Sequence, residues 1–264
     1  IYTLSLHDAL PILVICMASV AESTLRKILR NAKIKPFHVS YYCEKRDPEF
    51  DAKMHDVLVI YKQIEMQFDE DGKLLPFNNN SVHTLSYDEK PGIQAIATTS
   101  EDRSPIPNTD TNSCHQRDYE YVRLGTLSLL AAIDLLSGEA IPLVSETHKS
   151  SDFVTFLKKV NEKYPKGDTI RIILDNHSAH TSKETQEYLN TIPKRFEFVF
   201  TPKHGSWLNM IEGFFSKMTK QMLSGIRVKD KEELKSRIYR YFNEINKEPI
   251  PYKWTYKMDT IDLF

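Results

Sequence analysis

The sequence predicts an α/β fold: a mixed central sheet flanked by helices and preceded by a separate helical region. Three observations carry that prediction. From residue 81 onward, short strand-like apolar runs alternate with helical stripes. Residues 169–176 (TIRIILDN) are apolar on both faces up to Asp175, as a central strand covered on both sides requires. Before residue 80 the periodicity is helical only, and the Pro76–Asn80 cluster breaks it.

The elements follow in order. Residues 20–34 read as a helix that Ser23 can cap, with Leu25, Ile28, Leu29 and Ile34 at helical spacing and Pro36 closing it. Residues 47–69 form a second helical stretch, with Phe50, Met54, Val57, Leu58 and Tyr61 on one stripe. A boundary falls near residue 80. Residues 81–88 (SVHTLSYD) and 93–99 (IQAIATT) read as two strands joined by a hairpin at Pro91-Gly92. A polar, Pro-containing loop over 100–117 is long enough to suggest a functional segment. Strands over 123–136 and 140–146 complete an antiparallel meander, and a helix follows over 151–164. After the central strand, Thr181 and Glu184 form a capping box for a helix over 182–190. A strand over 196–202 precedes a helix over 206–223, whose Trp207, Ile211, Phe214, Met218 and Met222 face inward. Asp230 and Glu233 box the start of the last helix, over 231–246.

Composition narrows the function classes. At 264 residues, with 41% hydrophobic and 27% charged side chains, the chain is neither disordered nor fibrous. No apolar run approaches the roughly 20 residues of a membrane span, so a soluble, cytoplasmic protein is expected. Its three cysteines (Cys16, Cys43 and Cys114) form no CxxC pair, which fits a reducing compartment. The net charge of −1 hides a gradient: residues 1–40 carry +3, 41–120 carry −8, 121–150 carry −1 and 151–264 carry +5. A polyanion would meet the basic ends, while the acidic middle suits cations. In the first helix Arg26, Lys27, Arg30 and Lys33 read either as phosphate contacts or as a solvated face.

Thr3–Ile12 (TLSLHDALPI) resembles the translation of a DNA sequencing adapter. Residues 1–12 are therefore set aside as a scar, and the native chain is expected to begin upstream. The expected organisation is this scar, then residues 13–80 as the remnant of a DNA-binding region with a linker helix, then a domain over 81–264.

Three acidic residues occupy informative places. Asp88 ends the first strand and Asp175 ends the central one, and open α/β sheets hold ligands at strand C-terminal ends. Glu212 lies about 100° from the centre of its helix's apolar stripe, at the edge, where a carboxylate reaches toward the sheet without being sealed in the core. Taken singly, each strand-end Asp also reads as a turn residue. Three converging carboxylates repel one another, and a hard divalent cation resolves the repulsion. Mg²⁺ or Mn²⁺ fits oxygen ligands, and a pair of such ions suits in-line phosphodiester chemistry. His177 and His180 at i, i+3 suggest a zinc pair, but no Cys or third His stands at a matching spacing.

The segments YDEKPGIQA, LGTLSLLAAIDLLSGE, ILDNHSAHTS and TPKHGSWLNMIEGFFS together resemble the DDE transposases of the mariner superfamily, in their bacterial insertion-sequence branch. The resemblance covers roughly residues 20–257, and the 36 residues between Asp175 and Glu212 are close to the family's usual spacing. It implies an RNase H-like fold in which Asp88, Asp175 and Glu212 form a catalytic, metal-binding triad that takes two Mg²⁺ or Mn²⁺ ions. Asn176, His180 and Asn209 support that triad, with His180 orienting its loop or contacting phosphate, and Trp207 belongs to the core. Lys203 and His204 contact phosphate. Glu89 and Lys90 belong to the motif without an assigned role. The implied activity is cleavage of double-stranded DNA at terminal inverted repeats and strand transfer into target DNA, by a homodimer on DNA. The helical region before residue 80 resembles the tail of the family's helix-turn-helix DNA-binding region. Two alternatives stand beside this reading: an RNase H-like nuclease that hydrolyses without joining, and a non-catalytic DNA-binding derivative.

Overall fold

The structure is a computed structural model that describes residues 21–35, 38–39, 47–75, 81–107 and 113–256. The adapter-like residues 1–12 lie outside the described residues. The chain divides into two compact units, residues 1–44 and 45–264.

In the first unit, helix α1 spans Glu22–Asn31. Ala21 opens it in an extended conformation with no side-chain cap, so the expected Ser23 cap is not used. Glu22 in its first turn and Arg30 in its last complement the helix dipole. Leu25 is buried, whereas Ile28 and Ile34 are about half exposed, so the expected apolar stripe is not sealed. Arg26, Lys27, Arg30 and Lys33 are exposed, and Arg26 pairs with Glu22 across one turn.

The second unit contains helix α2 (Phe50–Glu65), strands β1 (Val82–Thr98), β2 (Tyr121–Asp134) and β3 (Ala140–Ser145), helix α3 (Ser150–Lys163), strand β4 (Thr169–Leu174), helix α4 (Lys183–Thr191), strand β5 (Phe196–Phe200), and helices α5 (Ile211–Met218) and α6 (Lys231–Ile245). The five strands form one sheet in the order β3-β2-β1-β4-β5. β1, β2 and β3 pair antiparallel, while β4 and β5 run parallel to β1. This is the mixed sheet that the sequence predicts, in an RNase H-like arrangement.

One element differs from expectation. Residues 81–88 and 93–99 are not two strands of a hairpin but one continuous strand, β1. Pro91-Gly92 does not reverse the chain. The register with β2 slips between Lys90 and Ile93, and Gly92 sits at φ +67°, so the dipeptide makes a bulge. Proline is tolerated there because the pairing of β1 with β4 ends at Ser86, which leaves that edge of β1 free at Pro91.

Residue parity assigns the two faces of the sheet. One face packs Leu129, Ala131, Ile133 and Ile173 against α2, α5 and α6. The other packs Leu85, Tyr87, Leu130 and Leu174 against α3 and α4. Helix α2 is therefore part of the sheet's own core, with Val57 and Leu58 fully buried and the Tyr61 hydroxyl donating to the Leu208 carbonyl at 2.5 Å. The sequence reading placed this helix before a boundary near residue 80, whereas the compact unit begins at residue 45.

Two caps also differ in detail. Ser182, not Thr181, caps α4 by accepting from the Thr185 amide at 3.2 Å. Asp230 caps α6 as expected, but the Glu233 carboxylate returns to the Lys229 amide at 2.6 Å, one residue before the cap. The single helix expected over 206–223 is three pieces: a tight turn at Ser206–Leu208, then α5, then a wide turn at Thr219–Leu223. Asn209 interrupts it in an extended conformation because its side chain is committed to the sheet. Among the described residues, no helix is long and apolar enough to cross a membrane.

Candidate active site

Register brings two of the expected acidic residues together. Ser86 of β1 pairs with Ile173 of the adjacent parallel strand β4. Asp88 and Asp175 each lie two residues beyond that last pair. Asp88 does not end its strand, as expected, but continues in pairing with Ala131 of β2. What ends near Asp88 is its parallel neighbour. A carboxylate there stands where one flank of the sheet has opened, which is the strand-end position that suits ligands.

Parity also sets the direction of the side chains. Ser86 and Ile173 face α5, so Asp88, two residues after Ser86 in the same strand, projects to that side, while Asp175 follows the end of β4 and its Oδ1 lies 3.3 Å from His180 Nδ1. Glu212 enters from the facing helix. Asn209 anchors the start of that helix: its Nδ2 donates to the Tyr87 carbonyl at 2.7 Å, and its Oδ1 accepts from the Ser86 hydroxyl. The Ile211 amide donates back to Ser86 Oγ at 3.0 Å, and the Glu212 amide donates to the Asn209 carbonyl at 3.1 Å. The first turn of α5 is thereby fixed to the residues that immediately precede Asp88. Glu212 is half-buried, at the edge of the apolar stripe as expected.

The electrostatics register the convergence. Burial, together with the negative charges of Glu89, Asp175 and Glu212, pushes the Asp88 carboxyl up to about 7, although a hydrogen bond from the Glu89 amide opposes the rise. The three carboxylates do not close to within 4.8 Å of one another; among the described residues, the ligand-type groups that do are Glu89, His177 and His180. All-oxygen donors form a set suited to a hard divalent cation.

The supporting residues have definite partners. Asn176 Nδ2 donates to the Thr201 carbonyl at 2.5 Å, tying the segment after β4 to the end of β5. The His177 amide donates to Asp175 Oδ1 at 3.0 Å. His180 is fully buried, so of its two expected roles only orienting the loop is open to it. Its Nδ1 lies 3.0 Å from the Asp175 carbonyl oxygen and its Nε2 lies 3.1 Å from Glu89 Oε1. Burial disfavours both charges, but the pairing outweighs it, holding Glu89 below and His180 above their ordinary values.

The expected phosphate contacts Lys203 and His204 are exposed in the loop before α5. That loop is pinned by the buried Asp47, which accepts from the Lys203 amide and from Lys53 Nζ, each at 3.0 Å. The Lys203 amide, the Lys53 ammonium and the Glu49 amide together hold the Asp47 carboxyl down at about 2. Trp207 corrects an expectation. It is 39% exposed and stacks on Trp254 rather than entering the core, because the tight turn carrying it is not continuous with α5.

Sequence reasoning missed Ser86 and left Glu89 without a role. Ser86 is a small polar residue in a buried strand with no motif of its own. Glu89 projects to the face opposite Asp88, so its partner His180 is visible only once the sheet is assembled.

A family model described as DDE superfamily endonuclease matches residues 92–235, a stretch that includes Asp175 and Glu212 and begins just beyond Asp88. A Shigella sonnei protein described as "Insertion element IS630 uncharacterized 39 kDa protein" is 31% identical over 84 residues, which are 32% of this chain and 24% of that protein. The Mos1 mariner paired end complex with Mn is similar in fold at a TM-score of 0.51 and 14% identity, covering 85% of this chain and 64% of that one. The Mos1 strand transfer complex gives a TM-score of 0.50 at 12% identity, covering 85% and 63%. The chain thus spans about a quarter of the curated relative and less than two thirds of these transposase chains.

Proposed function

The chain belongs to the DDE superfamily endonucleases, and from that premise we propose that it is a transposase that cleaves DNA at the ends of a mobile element and joins the freed 3′ ends to target DNA. The observation that carries this reading is that Asp88 and Asp175 each follow the last pair of β1 with β4 by two residues, and that the charges of Asp175 and Glu212 both act on the Asp88 carboxyl. The Mos1 structures are a paired end complex with Mn and a strand transfer complex, and they support DNA ends and a divalent cation as partners here.

In this proposal Asp88, Asp175 and Glu212 are the catalytic and metal-holding carboxylates. Two Mg²⁺ or Mn²⁺ ions there would polarise the scissile phosphate, activate a water or a 3′-hydroxyl, and stabilise the leaving oxygen. Asn209 and Ser86 hold Glu212 against β1, and Asn176 and His180 hold the segment carrying Asp175. Lys203 and His204 meet the DNA backbone beside the site. Residues 13–80 include the DNA-end-reading region, with Arg26, Lys27, Arg30 and Lys33 of the α1 region on phosphate. The working form is a homodimer on DNA in the bacterial cytoplasm, and the domain over 81–264, with α2 packed into its core, does the chemistry.

A strand-joining assay tests the proposal. Pre-cut inverted-repeat duplexes incubated with a supercoiled target and Mg²⁺ are expected to give joined products. Hydrolysis of the duplex with no joined product would instead identify a nuclease, and DNA binding with neither reaction would identify a binding protein.

A further inference from the structure

His177 and His180 stand at i, i+3, a spacing that suggests a metal pair but supplies no third ligand in the sequence. The fold supplies one. Glu89, from the middle of β1, brings a carboxylate oxygen to the same point, and the ligand atoms of the three residues lie within 4.8 Å of one another. This cluster lies on the α3 side of β1, whereas Asp88 projects to the α5 side. From this geometry we propose that Glu89, His177 and His180 form a second cation site, adjoining the carboxylate site through His180, whose Nδ1 lies 3.3 Å from Asp175 Oδ1, that takes a borderline-soft divalent ion of the Zn²⁺ class.

Three features of the cluster point to a ligand rather than to packing alone. His180 presents Nδ1 to the Asp175 carbonyl oxygen at 3.0 Å, which fixes the ring and leaves Nε2 toward Glu89. Metal-binding histidines are usually oriented by such a backbone carbonyl partner. His177 Nδ1 is buried with no hydrogen-bond partner, a state that buried polar atoms in folded proteins rarely keep. The donor set of two imidazoles and one carboxylate matches three-ligand zinc sites that keep a fourth position open. Mg²⁺ prefers all-oxygen sets, so the chemistry of the two sites divides the metals between them.

An ion here would take the place of the proton between His180 Nε2 and Glu89 Oε1, joining the two residues through bonds of about 2.0–2.2 Å. It would fasten the segment that follows β4, which begins with Asp175, to the strand that carries Asp88. The carboxylate pair would then be held from behind by a metal clamp.

The test uses Co²⁺ as a visible probe on the full chain. With a large excess of Mg²⁺ filling the carboxylate site, the expected result is one Co²⁺ bound with the intense visible bands of a four-coordinate nitrogen-ligated site. This ion should survive a large excess of Mg²⁺ and be displaced by Zn²⁺. His177→Ala leaves the His180–Glu89 pair in place and is expected to weaken Co²⁺ binding by at least about tenfold, since even the loss of a partner outside the ligand set costs 10- to 100-fold. Glu212→Ala is expected to leave Co²⁺ binding unchanged, which keeps this result independent of the carboxylate site. Imidazole nitrogen resonances in the unmodified protein give a second reading: Zn²⁺ should shift both His177 and His180. The proposal is overturned if the protein binds no Co²⁺, if Mg²⁺ displaces it, if His177→Ala binds it equally well, or if Zn²⁺ moves neither histidine.

Discussion

Asp88→Asn is expected to lower Mg²⁺-dependent nicking of an inverted-repeat duplex by about a thousandfold or more. The metal contributes several kcal/mol of transition-state charge stabilisation, and each 1.36 kcal/mol is a factor of ten in rate. Asn keeps the shape of the side chain and can still accept from the Glu89 amide, the bond that Asp88 makes at 2.8 Å. What it removes is the charge. The fold should not suffer, because a neutral side chain reproduces the protonated form that burial and the neighbouring carboxylates already favour. The thermal midpoint should therefore hold or rise while activity disappears. Asp175→Ala is expected to abolish nicking in the same way, and a loss of less than tenfold in either variant would remove that residue from the mechanism.

The second large effect is the pH dependence of metal loading. The Asp88 carboxyl titrates at about 7 in the folded chain against 3.8 in the unfolded one. A proton that is bound more tightly in the folded state makes a stability contribution that is complete below the unfolded value. That contribution declines as the pH rises from about 4 to about 7. A cation reverses the trend, because it binds the ionised form and displaces the proton. Mg²⁺ affinity is expected to climb about tenfold per pH unit below 7 and to level off above it. Calorimetry in buffers of different ionisation enthalpy should show about one proton released per binding event at pH 6, and Asp88→Asn should abolish that release.

The mixed sheet was legible because periodicity survives in the amino-acid order. The both-sides-apolar run at 169–174 and the alternating strands left no other class open. The hairpin at Pro91-Gly92 was misread for a physical reason. A Pro-Gly pair marks a turn when both strands have partners to satisfy, but it marks a bulge when one edge is already free, and the freedom of that edge depends on where β4 stops. Trp207 was assigned inward by projecting one ideal helix across a segment that Asn209 interrupts.

The three acidic residues were legible as candidates from their expected places at strand ends and on a stripe edge, although Asp88 stands within β1 and only its neighbour β4 ends there. Their convergence was not, because Asp88 and Asp175 are brought together only through the pairing of Ser86 with Ile173. The same holds for Glu89. Its neighbour Asp88 points to the other face, and no local pattern relates it to a histidine 91 positions along the chain. Ser86, which bridges β1 to α5, is one hydroxyl in an apolar strand, and only the fold reveals its partners.

The central claim is that side chains 88, 175 and 212 hold one shared cation centre. Anomalous scattering from crystals grown with Mn²⁺ and a cleaved inverted-repeat duplex tests it directly. The account predicts manganese peaks at the end of β4, coordinated by carboxylate oxygens from Asp88, Asp175 and Glu212. Manganese located elsewhere in the complex, with those three carboxylates too far apart to share it, would contradict the account.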